Sequence, residues 1–194
     1  MNMTSFKDVS DNIINRFSEC KLGKFLEGKR FDYPVSEYDK ALSKICECMK
    51  NCPIEGGKWE GERGDSKWIP DSDYVPQKSN PFDKTWSEIL DSYGIDGIVF
   101  KDGEADFSEV SKGNVEIENF STKREDNFDK ADIELAKQRG CTPKEVADWR
   151  KTNGYTWHEC KDMKTMQKVP REIHNNITHR GGISEAKKGA NENS

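Results

Sequence analysis

The chain has 194 residues, with hydrophobics at 32%, charged residues at 35% and a formal net charge of −5. That length allows one sizeable domain or two small ones, built on a lean core with room for loop-rich stretches. No apolar run reaches the length of a membrane span, and residues 1–18 have no signal-peptide h-region; both point to synthesis and folding in the cytoplasm, with export by a specialised system that reads no cleavable signal left open.

In chain order, residues 1–52 read as helical. Phe6, Val9, Ile13, Ile14 and Phe17 repeat at helical spacing, and 36–49 is a second amphipathic stretch. The six cysteines stand at 20, 46, 48, 52, 141 and 160. Cys46, Cys48 and Cys52, with Cys20, would make a soft metal site, but paired C-x-x-C knuckles are absent, and reduced cysteines on a helix are the preferred reading. Residues 53–81 are broken by Gly56-Gly57, Gly61, Gly64, Pro70 and Pro76 and read as irregular. Trp59 and Trp68 in that segment read as pins onto a core in preference to base-stacking platforms. A short helix over 84–93 ends at Gly94, and 95–100 is a brief apolar strand. Asp102-Gly103 is a turn signal, the dipeptide of a hairpin, between flanks that alternate only weakly. Residues 115–118 alternate as a strand, and 127–139 is helical up to Gly140. Thr142-Pro143-Lys144-Glu145 is a capping box with Pro at the first helical position. The helix it opens leads into 154–182, with Trp149 and Trp157 expected in the core at the junction.

All three histidines of the chain, His158, His174 and His179, fall within 154–182. Imidazole is both the commonest side-chain metal ligand and the usual general base near neutral pH. Residues 155–160 read as a strand, 161–164 as a turn and 165–169 as a second strand; Cys160 reads as packing. Pro170 suits the first turn of a helix and Glu172 complements its dipole. Strand, turn, strand, helix is the order of a ββα metal finger. His174 and His179 are five apart, about 140° around a regular helix. Ligation by both therefore requires the helix to end before His179 or to widen locally, and Thr178 with Gly181-Gly182 favours an early end.

This stretch resembles the HNH/endonuclease VII superfamily of nucleases, in its toxin-type branch with a W-H-H or W-H-E motif. The residues that carry the likeness are Trp157-His158-Glu159, Met166-Gln167-Lys168-Val169-Pro170, Ile173-His174 and His179-Arg180-Gly181-Gly182. A softer likeness to such toxin modules extends back to about residue 57. The resemblance implies a metal-dependent endonuclease acting on DNA without much sequence preference, an antibacterial toxin or a stand-alone relative of one, and an immunity protein as partner. RNA is the alternative substrate. A non-catalytic metal finger that binds nucleic acid or a partner is the alternative function.

The expected fold is α+β, with a mostly helical and irregular N-terminal part and a C-terminal ββα-metal (HNH) finger. The divisions are a helical segment 1–55, an α+β extension 56–141, the nuclease core 142–183 and a disordered tail 184–194. His158, His174 and His179 are the expected metal ligands. Either His158 is the base and Glu159 ligates or orients, or His158 ligates and Glu159 is the base. A His/carboxylate set accepts Mg²⁺, Mn²⁺, Ni²⁺ or Zn²⁺. Residues 142–194 carry a net +3 against −8 for the remainder. Lys164, Lys168, Arg171, Asn175 and Arg180 are the expected nucleic-acid contacts.

Overall fold

A computed structural model describes residues 51–192. The expected N-terminal helices and the Cys20/Cys46/Cys48 cluster lie outside the described residues. What is described is α+β, with two antiparallel sheets and five α-helices.

The first sheet runs β1 (Gly57–Trp59), β2 (Lys67–Pro70), β3 (Ile98–Lys101), β4 (Glu104–Asp106), in that spatial order. Its first hairpin corrects the expectation of irregular chain over 53–81. The glycines and prolines sit at the strand ends and in the connection, and Trp59 pairs directly across from Trp68 with ring centroids 5.2 Å apart. Such a cross-strand aromatic pair stabilises a hairpin despite short strands. Trp68 is buried in the core, and Trp59 packs against it. The second hairpin also forms. Asp102 and Gly103 both take positive φ, 50° and 74°, as a two-residue mirror-type turn requires. Turn chemistry outweighs the weak alternation of its flanks.

Between β2 and β3, helix α1 (Trp86–Tyr93) starts on a capping box of Thr85 and Glu88. After β4, strand β5 (Asn114–Glu116) joins the second sheet, and α2 (Arg124–Arg139) and α3 (Pro143–Thr152) follow. The capping box foreseen for α3 is present. Thr142 accepts from the Glu145 N–H at 3.2 Å, and Glu145 accepts from the Thr142 N–H at 2.7 Å. Thr142→Ala is expected to cost about 0.5–2 kcal/mol, read as a lower denaturant midpoint with an unchanged slope; an unshifted midpoint would mean the cap is redundant.

The second sheet has the order β5, β7 (Thr165–Pro170), β6 (Tyr155–Glu159). Strand alternation divides its side chains between two cores. On one face Val115, Trp157 and Met166 pack with Ala131, Leu135 and Val146 of α2 and α3. On the other, Val169 packs with Ile173, Ile177 and the aromatic core of the first sheet, including Phe100 and Phe107. Helix α4 (Arg171–His174) is a single turn. Among the described residues, no helix is long and apolar enough to cross a membrane.

Two further expectations change. Residues 184–192, expected to be a disordered tail, lie in α5 (Gly182–Glu192), held at its start by an Arg180–Glu185 ion pair at 2.7 Å. Trp149 is not core but 41% exposed, and its ring lies under the Lys168 ammonium at 4.3 Å from the centroid.

Candidate metal centre and active site

The β6–β7 turn is tied by Asp162, whose carboxylate accepts from the N–H groups of Lys164 and Thr165 and from the Thr165 hydroxyl. This fixes the register Trp157↔Lys168 and His158↔Gln167. Trp157 and Glu159 therefore face α2 and α3, and His158 faces α4. There Trp157 donates its indole N–H to Asp132 at 2.8 Å, and Asp132 is bound bidentately by Arg150 at 3.1 and 2.6 Å. Helix α4 carries His174. It is anchored at Glu172, which accepts from the Tyr93 hydroxyl at 2.9 Å.

Because α4 stops after one turn, the chain doubles back and returns His179 to the same place. Gly181 and Gly182 make that return possible. A β-carbon at Gly181 would stand 2.6 Å from the Glu159 carbonyl oxygen, and one at Gly182 would stand 2.3 Å from that of Cys160. Only glycine lets this segment lie directly on the end of β6.

The three imidazoles form one cluster. His158 Nδ1 lies 3.3 Å from His174 Nε2, and the ring centroids are 4.6 to 5.3 Å apart. Phe107 packs against all three rings. His179 turns Nδ1 to the Ile177 carbonyl at 2.8 Å, and His174 turns Nδ1 to the Asn175 side-chain oxygen at 3.2 Å. Each of these two rings thus keeps Nε2 for the centre. Burial lowers the pKa of all three: His158 well below its ordinary value, His174 to about 3, and His179 in the same direction. They are neutral at pH 7, which is the ligating form.

This donor set fits a metal ion. Nitrogens bound at about 2.0–2.1 Å to a tetrahedral centre stand about 3.3–3.4 Å from each other, and His158 and His174 already do. One ligand atom from each of the three histidines can be chosen so that all lie within 4.8 Å of one another. Glu104, His158 and Cys160 also approach within that distance. That second group is the weaker donor set, since Glu104 already accepts the Lys161 N–H at 2.6 Å and burial pushes the Cys160 thiol up to about 12.

Glu159 is outside the histidine cluster. Its carboxylate accepts from Arg124 Nε at 3.0 Å and from Asn127 Nδ2 at 2.9 Å, both in the first turn of α2. Burial raises its pKa; the Asn127 and Arg124 hydrogen bonds and the Arg124 charge oppose that rise. A cleft of about 350 Å³ opens over these groups, with the histidines, Glu159, Arg124, Asn175 and Lys78 on its walls.

The expected nucleic-acid contacts divide. Asn175 lines the cleft, while Lys164, Lys168, Arg171 and Arg180 do not. Lys164 pairs with Glu116 at 2.6 Å, and Arg180 is buried against Glu185. Lys168 is fully buried, its ammonium without a hydrogen-bond partner, on the face of β7 opposite His158. The reason is the period of two: a residue beside Gln167 cannot share the face of His158. Arg124 and Lys78 went unanticipated. They stand far upstream in polar stretches, and only the tertiary fold brings them to the histidines.

Residues 97–181, less than half of the chain, match the family model of the DNase/tRNase domain of colicin-like bacteriocin. The matched segment includes all three histidines, Glu159 and Arg124, and supports a nuclease toxin domain. No curated protein matches the chain significantly.

Proposed function

We propose that this protein is a metal-dependent endonuclease of the HNH type that hydrolyses DNA phosphodiester bonds, in the role of an antibacterial toxin. The observation that carries this reading is the cluster of three neutral imidazoles on a β-β-α frame, open to a cleft that also holds a buried carboxylate and a half-exposed arginine.

His158, His174 and His179 would hold the ion. An all-imidazole set favours Zn²⁺ or Ni²⁺ over Mg²⁺, which prefers oxygen ligands. A divalent cation held there supplies positive charge to the phosphate and to the departing oxygen. Of the two assignments for the base, the fold favours Glu159. His158 is committed to the cluster, whereas Glu159 stands outside it and lines the same cleft. Glu159 takes a proton from the attacking water, and its partial desolvation makes it a better acceptor than a free carboxylate. Asn127 and Arg124 hold its two oxygens in place. Arg124 also presents the rest of its guanidinium to the cleft, where a phosphate oxygen matches its donor geometry.

RNA is the second reading, because the matched family includes tRNases. An immunity protein that covers the cleft is the expected partner, and a protein of acidic surface suits the cations at its rim. Delivery by a specialised export route belongs to the same reading.

Purified protein incubated with supercoiled plasmid and Zn²⁺, Ni²⁺, Mn²⁺ or Mg²⁺ is expected to nick it, and EDTA to stop the reaction. His158→Ala and His174→Ala are each expected to lose nicking and to bind the metal at least about 10–100-fold more weakly. Cleavage that survives EDTA and both substitutions would refute the metal centre. Inactivity on plasmid with cleavage of RNA would assign the second reading.

A further inference from the structure

Lys78 lies outside the segment that matches the nuclease family, 80 residues before His158, yet it lines the cleft. Its position is built by the two residues that follow α4. The Asn176 amide pairs with the Lys78 backbone in both directions: Oδ1 accepts the Lys78 N–H at 2.9 Å, and Nδ2 donates to the Lys78 carbonyl at 2.5 Å. Nδ2 also donates to the Glu172 carbonyl at 2.8 Å, which fixes the asparagine to the helix. Beside it, Asn175 donates to the Ser79 hydroxyl at 2.8 Å, and its oxygen faces His174. Ser79 holds a positive φ of 56°, uncommon for a residue other than glycine. Asn80 closes the loop behind it, donating to the carbonyls of Pro76 and Lys84 and accepting from the Lys84 N–H.

A loop tied at three consecutive residues, with a strained backbone, holds an exposed lysine beside the helix that carries His174. Among the described residues no carboxylate forms an ion pair with Lys78, whereas Arg124, Lys164 and Arg180 each have one. A cation without a carboxylate partner among the described residues therefore stands on the cleft wall beside Asn175 and Asn176, and Arg124 stands on the Glu159 side.

We propose that Lys78 binds a backbone phosphate of the substrate strand adjacent to the one being cut, and that Asn176 is the positioning residue that holds it there. The inference deepens the nuclease reading and rests on it. Lysine suits this task as a point charge that grips any phosphate without reading the base.

The test is steady-state cleavage, at several salt concentrations, of whichever nucleic acid the wild-type protein cuts. Lys78→Ala is expected to raise KM about 10-fold, with kcat within a factor of about two. The slope of log kcat/KM against log salt becomes shallower by about 0.7–0.9, the signature of one lost phosphate contact. Lys78→Arg restores most of both. Asn176→Ala raises KM to a similar extent, and the double variant is no worse than either single one. Lys101→Ala, an exposed lysine on β3, changes nothing. An unchanged KM and salt slope in Lys78→Ala would overturn the proposal, and additive effects in the double variant would remove the role of Asn176. If Asn176→Ala does not fold, Lys78→Ala and Lys78→Arg alone decide. A wild-type protein that cuts no nucleic acid with any metal fails at the nuclease reading itself, a result distinct from a nuclease indifferent to Lys78.

Discussion

Glu159→Gln is expected to lower the single-turnover cleavage rate about 100- to 10,000-fold, the usual range for losing a positioned base, while metal binding stays close to that of the wild type. Glutamine keeps the size of the side chain and one acceptor oxygen for Asn127 or Arg124, so the first turn of α2 stays docked. It cannot take a proton. The same variant separates the two assignments that Trp157-His158-Glu159 leaves open. If His158 were the base and Glu159 only an orienting group, the rate would fall about 10-fold or less, and metal affinity would fall with it. Isothermal titration with Zn²⁺ beside a quenched-flow cleavage assay reads both quantities. A rate within about 10-fold of wild type would sink the assignment of Glu159 as base.

Lys168→Met is expected to stabilise the fold by about 1–3 kcal/mol at pH 7. Burial lowers the Lys168 pKa from its ordinary 10.5 to about 8, with Arg139 and Arg150 adding to the effect and Asp132 opposing it. Each unit of that shift is about 1.36 kcal/mol of strain on the charged form. The Trp149 ring beneath the ammonium returns up to about 2 kcal/mol of it. Methionine fills nearly the same volume without a charge. The pH dependence has a definite sign. Below about pH 8 both folded and unfolded chains carry the proton, and the penalty is complete. Between about pH 8 and 10.5 the unfolded chain binds more protons than the folded one, so wild-type stability rises with pH relative to the variant. Urea midpoints of both proteins at pH 7, 8.5 and 9.5 measure the gap, which should narrow at each step. Parallel curves would mean that Lys168 titrates normally.

The site was legible in the sequence where chemistry was concentrated and local. Three histidines found nowhere else and a Pro at a helix start were enough to place the ββα frame. The early end that ligation by both His174 and His179 favours is what α4 shows, although it comes at His174, and Gly182, expected as a stop, opens α5. The capping box of α3 was equally legible, because it is a contact between residues three apart. What sequence reasoning missed depends on facing. Counting Lys168 and Arg180 as surface cations ignored the alternation of β7 and the packing at the start of α5. The Trp59–Trp68 hairpin was hidden because its stability comes from one cross-strand pair and not from a run of alternating residues. Arg124 and Lys78 had no local signal at all: one is selected by Glu159 across the sheet, the other by an asparagine 98 residues later.

His158 and Glu159 are consecutive residues on opposite faces of β6, and β6 ends at Glu159. A reactant lying over either face of the sheet can meet only one of them. One that meets both has to sit off the outer edge of β6, the edge strand of its sheet, where Gly181 lines the same cleft. A nucleic acid that meets both would therefore be presented edge-on, along the outer edge of β6, and not draped over the sheet as on a stacking platform. The same geometry limits how this sheet can vary: a further strand paired to the outer edge of β6 would carry backbone into the cleft.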